Sequence, residues 1–147
     1  MPQDAIALLE ADHQRVETLF TDYQSAGSDM TQKLDIAQVI CLELTIHAML
    51  EEELFYPAFR EATGGDELVD EAEREHQEVK DLIASVQEPR DLDAVMKRLQ
   101  QAVEHHVQEE REKIFPKALS AQKMDIAGLA TRIEARKADL VASMQAA

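Results

Sequence analysis

The stretches HAMLEEELFYP, residues 47 to 57, and HVQEEREKIFP, residues 106 to 116, decide how this chain folds. In both, a glutamate follows the first histidine by four residues, and a proline closes the stretch. Residues four apart lie on one face of a helix, so each stretch presents an imidazole and a carboxylate side by side. The repeat predicts two related helices that each carry a histidine and a glutamate toward a shared interior.

Glycine and proline residues divide the rest of the chain into helical segments with apolar residues at helical spacing. The predicted helices cover about residues 4–25, 31–62, 66–87, 91–120 and 125–144. Their predicted N-caps share a short polar side chain that can accept a hydrogen bond from the first turn. These caps are Asp4, Thr31, Asp66 and Asp91. Pro57 and Pro116 fall inside two helices and are expected to kink or end them.

The connections between the first four segments are short, which makes neighbouring helices antiparallel. The predicted fold is therefore all-α, an up-down-up-down four-helix bundle with a short extra C-terminal helix. Residues 1–147 are expected to form a single domain, with the bundle over about 4–120 and the extra helix over about 125–144. The extra helix has an apolar stripe that either packs on the bundle or contacts a second copy. The stripe consists of Ile126, Leu129, Ile133 and Leu140.

Four histidines fall at the middle of the four bundle helices. Groups on antiparallel helices meet when they are equally far from the helix centres, which lie at about residues 14, 47, 76 and 106. The histidines are His13, His47, His76 and His106. Each interrupts an apolar stripe, and Glu51 and Glu110 follow one turn later on two of the helices. Four imidazoles and two carboxylates are therefore predicted at one level of the core.

Metal coordination explains such a set, because a buried carboxylate without a partner is strongly destabilising. Imidazole with carboxylate suits iron, manganese, zinc or copper, and no thiolate cluster favours structural zinc. Six ligands exceed the needs of one tetrahedral ion. Two metals that share Glu51 and Glu110 would each receive two histidines and two carboxylate oxygens. Oxo or hydroxo bridges and open positions would complete an oxidation–reduction-active di-iron centre, which is favoured over zinc or manganese.

His105 and Glu109 offer a second histidine–glutamate pair with the same spacing as His106 and Glu110. The helical neighbours of His105 are polar, whereas His106 belongs to the apolar stripe and shares the spacing to the proline. His105 is therefore predicted to face solvent.

A ferritin-like carboxylate site is the main alternative arrangement. That design uses Glu-x-x-His on two helices and one glutamate on each of the others. Glu10 with His13, and Glu73 with His76, have the required spacing. The arrangement leaves the histidines at positions 47 and 106 without a role, so it is the less favoured interpretation.

Composition limits the class of protein. The chain has 147 residues, 45% of them hydrophobic, and a net charge of −15. This charge argues against nucleic acid and against anionic membrane surfaces as partners. The sequence contains no 18-residue apolar run and no signal pattern, so a cytoplasmic location is predicted. A single cysteine cannot form an internal disulfide.

The ordered pattern resembles the hemerythrin family, specifically the bacterial hemerythrin-like HHE cation-binding domains. The matching strings are ADHQRVETLF, HAMLEEELFYP, LVDEAEREHQEVK and HHVQEEREKIFPKA. The resemblance implies a four-helix bundle around a non-haem di-iron centre. By the family motif, the ligands would be His13, His47, Glu51, His76, His106 and Glu110.

One departure separates this chain from the oxygen-carrying hemerythrins. Those proteins place two histidines four apart on the third helix, whereas Ala72 and Lys80 flank His76 at that spacing here. The resemblance therefore implies binding of, or reaction with, O2, peroxide or NO in a stress response or oxygen handling, and not simple O2 transport. It leaves open a catalase- or peroxidase-like enzyme and a non-catalytic iron or oxygen sensor or metal-binding module. A monomer or weak homodimer is expected.

Overall fold

The computed structural model describes residues 4–64, 67–86 and 91–146, and every regular element in these ranges is helical. The elements are α1 Ala5–Ser25, α2 Met30–Leu50, a first π-helical segment Glu51–Phe55, α3 Tyr56–Thr63, α4 Glu67–Val86, α5 Leu92–Glu109, a second π-helical segment Glu110–Ile114, α6 Phe115–Ser120 and α7 Ile126–Ala146. In these ranges no helix has the length and apolar composition needed to cross a membrane.

Four helical rods form the predicted bundle. α1 and α4 are two of them; α2, the first π-helical segment and α3 make the third, and α5, the second π-helical segment and α6 make the fourth. Rods that follow one another in sequence pack together, as expected for an up-down-up-down bundle. α7 is the extra helix and packs against α1, α2 and the first π-helical segment.

The helix starts follow the predicted capping chemistry with one exception. Asp4 and Asp91 each accept a hydrogen bond from a backbone N–H three residues later, so both predicted caps are confirmed. The predicted cap Thr31 is wrong, because Asp29 accepts the corresponding bond at 3.1 Å and the helix begins before Thr31. A carboxylate at this position also interacts favourably with the helix dipole. The predicted cap Asp66 lies outside the described residues.

Both internal prolines follow a π-helical segment. In each segment the carbonyl of the first residue, Glu51 or Glu110, accepts a hydrogen bond from the N–H five residues later. Proline has no N–H to donate and crowds the carbonyl four residues before it, and the wider turn relieves this conflict. Of the two predicted outcomes, a kink or an end, the prolines do not end their helices: the helical path continues past Pro57 and Pro116, and the distortion is confined to the π-helical turn.

Two apolar clusters fill the bundle, one on each side of the predicted histidine level. The first cluster includes Leu9, Leu50, Phe55, Phe59, Ile114 and Phe115, and the second includes Val16, Phe20, Ile40, Leu44, Leu99 and Val103. Three residues of the predicted stripe on α7 are buried in the first cluster. They are Leu129, Ile133 and Leu140. The prediction that this stripe packs on the bundle is confirmed.

Candidate metal centre

The structure brings all six sequence-predicted ligand residues together between the two apolar clusters. All six are buried, and Glu51 and Glu110 have no exposed surface. They form two groups of three, and the ligand atoms of each group lie within 4.8 Å of one another. The first group is His13, His47 and Glu110, and the second is Glu51, His76 and His106.

The two glutamates connect the two groups. Glu51 Oε1 lies 3.1 Å from the Nε2 atoms of two histidines, one from each group. Glu110 Oε1 lies 3.0 Å from His13 Nε2 and 3.4 Å from His106 Nε2, again one histidine from each group. The two histidine Nε2 atoms within each group are 3.2 Å and 3.0 Å apart. Four ring nitrogens therefore converge on the two carboxylates, which is the arrangement that bridging ligands require.

The polar atoms at this centre need positive charge. Glu51 Oε2 is buried and has no hydrogen-bond partner among the described residues. Burial and the nearby charge of Glu51 raise the pKa of the Glu110 carboxyl. Burial alone would lower the pKa of the His47 imidazole, but the carboxylates of Glu51 and Asp12 raise it to about 10. A bound cation would compensate the same carboxylates and supply the partner that Glu51 Oε2 lacks, so the donor set fits a metal.

Each of the four histidines faces a second carboxylate through its Nδ1 atom, and each of these carboxylates faces a basic group. The four series of side-chain contacts are His13–Glu10–Arg111, His47–Asp12–Lys137, His76–Glu52–Lys80 and His106–Glu75–His105. The Nδ1–oxygen distances are 3.5, 3.0, 3.3 and 2.9 Å in the same order; the last three are hydrogen bonds, whereas His13 Nδ1 makes no hydrogen bond among the described residues. Such partners orient metal-binding imidazoles and direct the Nε2 lone pair inward.

Sequence reasoning missed these carboxylates, although a signal for two of them was present. Asp12 precedes His13 and Glu75 precedes a histidine on α4, and each carboxylate contacts a histidine of a different helix. An acidic residue directly before a histidine lies on an adjacent part of the helix surface, where it can reach the neighbouring rod. The repeated acidic–histidine dipeptide could therefore have identified both.

Tyr56 is a further site residue that sequence reasoning missed. Its hydroxyl donates a hydrogen bond to Glu110 Oε2 at 2.9 Å and lies 3.4 Å from the Nε2 atoms of His76 and His106. Burial and the two glutamate charges raise the pKa of Tyr56 well above its usual range, so the phenol keeps its proton. Phe115 has the equivalent place before the second proline and stacks on a histidine ring. The two groups are therefore not equivalent, and this tyrosine–phenylalanine difference was visible in the repeated stretches.

His105 is exposed and contributes no atom to either group, so its predicted orientation toward solvent is confirmed. Its Nε2 lies 3.0 Å from Glu75 Oε2, so His105 contacts the same carboxylate that faces Nδ1 of His106. The sequence did not predict this contact, because it depends on how α5 packs against α4.

The ferritin-like arrangement does not form. Glu73 pairs with Arg60 at 2.6 Å and is half-exposed, while Glu10 pairs with Arg111 at 2.7 Å and faces the outer nitrogen of His13. Both carboxylates lie at the flank of the apolar stripe, where an arginine of a neighbouring rod holds them away from the interior. The two histidines that this alternative left without a role point into the centre instead.

The family model for the hemerythrin HHE cation binding domain matches residues 4–138. The chain belongs to the hemerythrin HHE family. The crystal structure of a hemerythrin HHE cation binding domain-containing protein from Mycobacterium kansasii is similar, with a TM-score of 0.80 and 22% sequence identity. The similarity covers 96% of this chain and 89% of that one, and at this identity it shows the fold. The curated proteins compared with this HHE chain include no significant match.

Membership of the HHE family and the two histidine–glutamate groups have the same implication. The family is named for cation binding, and this HHE domain presents imidazole and carboxylate ligand atoms in two buried groups of three. The chain is therefore a metal-binding module.

Proposed function

We propose that this HHE domain holds two iron ions and binds or reacts with a small oxidant: O2, peroxide or NO. The observation that carries the proposal is the pair of three-residue groups joined by Glu51 and Glu110. The four imidazoles and two carboxylates in this arrangement are more ligands than a single metal ion requires. Imidazole with carboxylate is a ligand set that suits iron, and the described residues contribute no thiolate to either group.

Each residue has a definite part in this proposal. The first group would hold one ion and the second group the other, with Glu51 and Glu110 reaching both. When bound, iron supplies the electrons that a small oxidant accepts. Two histidines and two carboxylate oxygens per ion would leave room at the iron for that molecule. Tyr56 keeps a proton on Oη, directed at Glu110 Oε2, and the two apolar clusters exclude bulk water.

A small cavity beside the four histidines supports a small-molecule partner. Its volume is about 30 Å³, somewhat more than one water molecule requires. The histidines and Asp12 line it together with Val16, Leu44, Ala48, Val79, Val103 and Val107. A cavity of this volume with a partly apolar lining suits a molecule of two or three heavy atoms.

The metal content tests the proposal directly. Protein purified from iron-replete cells is expected to contain close to two iron ions per chain, measured by elemental analysis. Glu51→Ala should reduce this to less than one, because Glu51 contacts histidines of both groups. Glu53→Ala is the matched control, since Glu53 lies in the same π-helical segment but pairs with Arg136 at the surface. One zinc ion and no iron in the unmodified protein would contradict the proposal.

Peroxide consumption separates an enzyme from the alternative, a non-catalytic iron or oxygen sensor. Iron-loaded protein that evolves oxygen over many turnovers is a catalase-like enzyme. Peroxide consumption that stops after about one equivalent per metal centre indicates a non-catalytic sensor, in which the oxidised centre is the signal to a partner. Glu51→Ala, which lacks the centre, sets the background for both results.

Tyr56→Phe tests whether the phenol contacts the metal centre. We expect the variant to fold and retain iron, with stability reduced by about 1 kcal/mol because Glu110 loses a buried hydrogen bond. Its Mössbauer spectrum should change, since the hydroxyl donates to Glu110 of the first group and lies close to the two histidines of the second. Tyr23→Phe is the control, because the Tyr23 hydroxyl donates to Asp93 at 2.6 Å, away from the centre. Identical spectra for both variants would exclude a role for Tyr56 at the metal.

A further inference from the structure

The C-terminal helix α7 reaches the metal centre through a charged contact. Lys137 Nζ lies 2.6 Å from Asp12 Oδ1, and the other oxygen, Asp12 Oδ2, lies 3.0 Å from His47 Nδ1. Asp12 is 8% exposed, so its carboxylate is largely shielded from solvent and depends on these partners. Both of its oxygens are engaged, and the carboxylate therefore cannot rotate without losing one contact.

The rest of α7 holds Lys137 in this position. Leu129, Ile133 and Leu140 are buried in the first apolar cluster, and α7 packs on α1, α2 and the first π-helical segment. Lys137 follows Ile133 by one helical turn, which places it next to the buried face of α7. From this position its ammonium group reaches Asp12.

This chain of contacts differs in origin from the other three. The basic groups that face Glu10, Glu52 and Glu75 all come from the bundle rods, whereas the group that faces Asp12 comes from α7. The bundle alone therefore orients the histidines of the second group. Among the described residues, full support of the first group requires α7.

We propose that Lys137, acting through Asp12, is a positioning residue for the His47 ring and makes α7 a supporting part of the metal centre. The inference rests on the proposed metal binding. A fixed Asp12 accepts the Nδ1–H of His47, which directs the Nε2 lone pair at the ion. Without Lys137, the Asp12 carboxylate is free to turn, and the imidazole loses its fixed orientation. We therefore expect weaker binding of the ion that His13, His47 and Glu110 would hold.

Lys137→Met in the full-length chain tests this role, with Arg136→Met as the matched control. Arg136 is the adjacent residue of α7 and pairs with Glu53, but it contacts no histidine of the centre. Iron retention is measured against a competing chelator, below the melting temperature of every variant. We expect Lys137→Met to hold one of its two ions about 10-fold or more weakly, as is usual when an outer partner of a ligand is lost. Arg136→Met should behave like the unmodified protein, and Lys137→Arg should recover most of the retention.

Melting of the metal-free variants separates positioning from a general structural role. Lys137→Met should lower the metal-free melting temperature more than Arg136→Met does, because Asp12 is buried whereas Glu53 is exposed. Only Lys137→Met should in addition reduce the stabilisation that iron provides. Asp12→Asn should weaken retention as Lys137→Met does, and combining the two should add less than about twofold, as expected for coupled residues.

Equal iron retention by Lys137→Met and Arg136→Met, in a protein that binds two irons when unmodified, would overturn this inference alone. Failure of the unmodified protein to bind metal would overturn the proposed function as well.

Discussion

Replacing His106 with alanine is expected to remove bound metal and to destabilise the protein by about 3 kcal/mol or more. His106 Nε2 lies 3.4 Å from Glu110 Oε1, and its Nδ1 lies 2.9 Å from Glu75 Oε1. The substitution deprives two buried carboxylates of a partner in one step. The desolvation cost of an unpaired buried carboxylate is larger than the cost of the small cavity left by the ring. Iron content and chemical denaturation measure the two effects.

His105→Ala is the control for this substitution, because the two histidines are adjacent in sequence. The His105 side chain is 66% exposed, and its Nε2 lies 3.0 Å from the outer oxygen of Glu75. We expect this variant to retain both ions and to lose no more than about 0.5 kcal/mol, as is usual for surface changes. Loss of metal in His105→Ala together with retention in His106→Ala would mean that α5 presents its other face to the centre.

Removing the metal is expected to leave a helical protein that melts at a distinctly lower temperature. The two apolar clusters lie on either side of the centre and do not depend on it, so the bundle keeps its hydrophobic core. Metal that binds only the folded state stabilises that state by mass action, by about 4 kcal/mol at a free concentration a thousand times the dissociation constant. Circular dichroism of chelated and reloaded protein measures both the helix content and the shift. Superimposed melting curves would show that the six residues are not ligands.

The stabilisation by metal is also expected to depend on pH. In the metal-free protein, burial opposes the charged form of His47 but Glu51 and Asp12 raise its pKa from 6.5 to about 10. The folded state therefore binds this proton more tightly than the unfolded state does. The resulting stability is fully present below pH 6.5 and is lost as the pH rises through about 10. Metal must displace the proton, so metal binding strengthens over the same range.

As the pH rises, the metal-free protein loses the stability that the His47 proton provides, whereas metal binding becomes stronger. The difference in melting temperature between loaded and metal-free protein should widen as the pH rises from 6.5 toward 10, and acid should release the metal. A His47→Gln variant should lose most of this widening. A difference that is constant or narrows over this range would contradict the assignment of His47 as a proton-displacing ligand.

Local chemistry made the helices and the six central residues predictable. A spacing of four residues puts His47 beside Glu51 whatever the neighbouring helices do, and interrupted apolar stripes show which face is buried. The error at Thr31 is also local, since Asp29 and Thr31 both have capping side chains and only the backbone path selects between them. The π-helical turns were not predicted because the same conflict at a proline can be relieved by a kink, an end or a wider turn.

The sequence by itself determined the helix boundaries to within a few residues, the family and the composition of the centre. Only the tertiary structure decided which outer carboxylate contacts His47, His76 and His106, because these three pairs join different rods: Asp12 and His47 are 35 residues apart. The outer contact of Lys137 with Asp12 joins residues 125 apart. Such contacts depend on how far each rod is rotated and shifted against its neighbours. The packing of the two apolar clusters sets the rotation of each rod, so this rotation cannot be deduced from the residue spacing within a single helix.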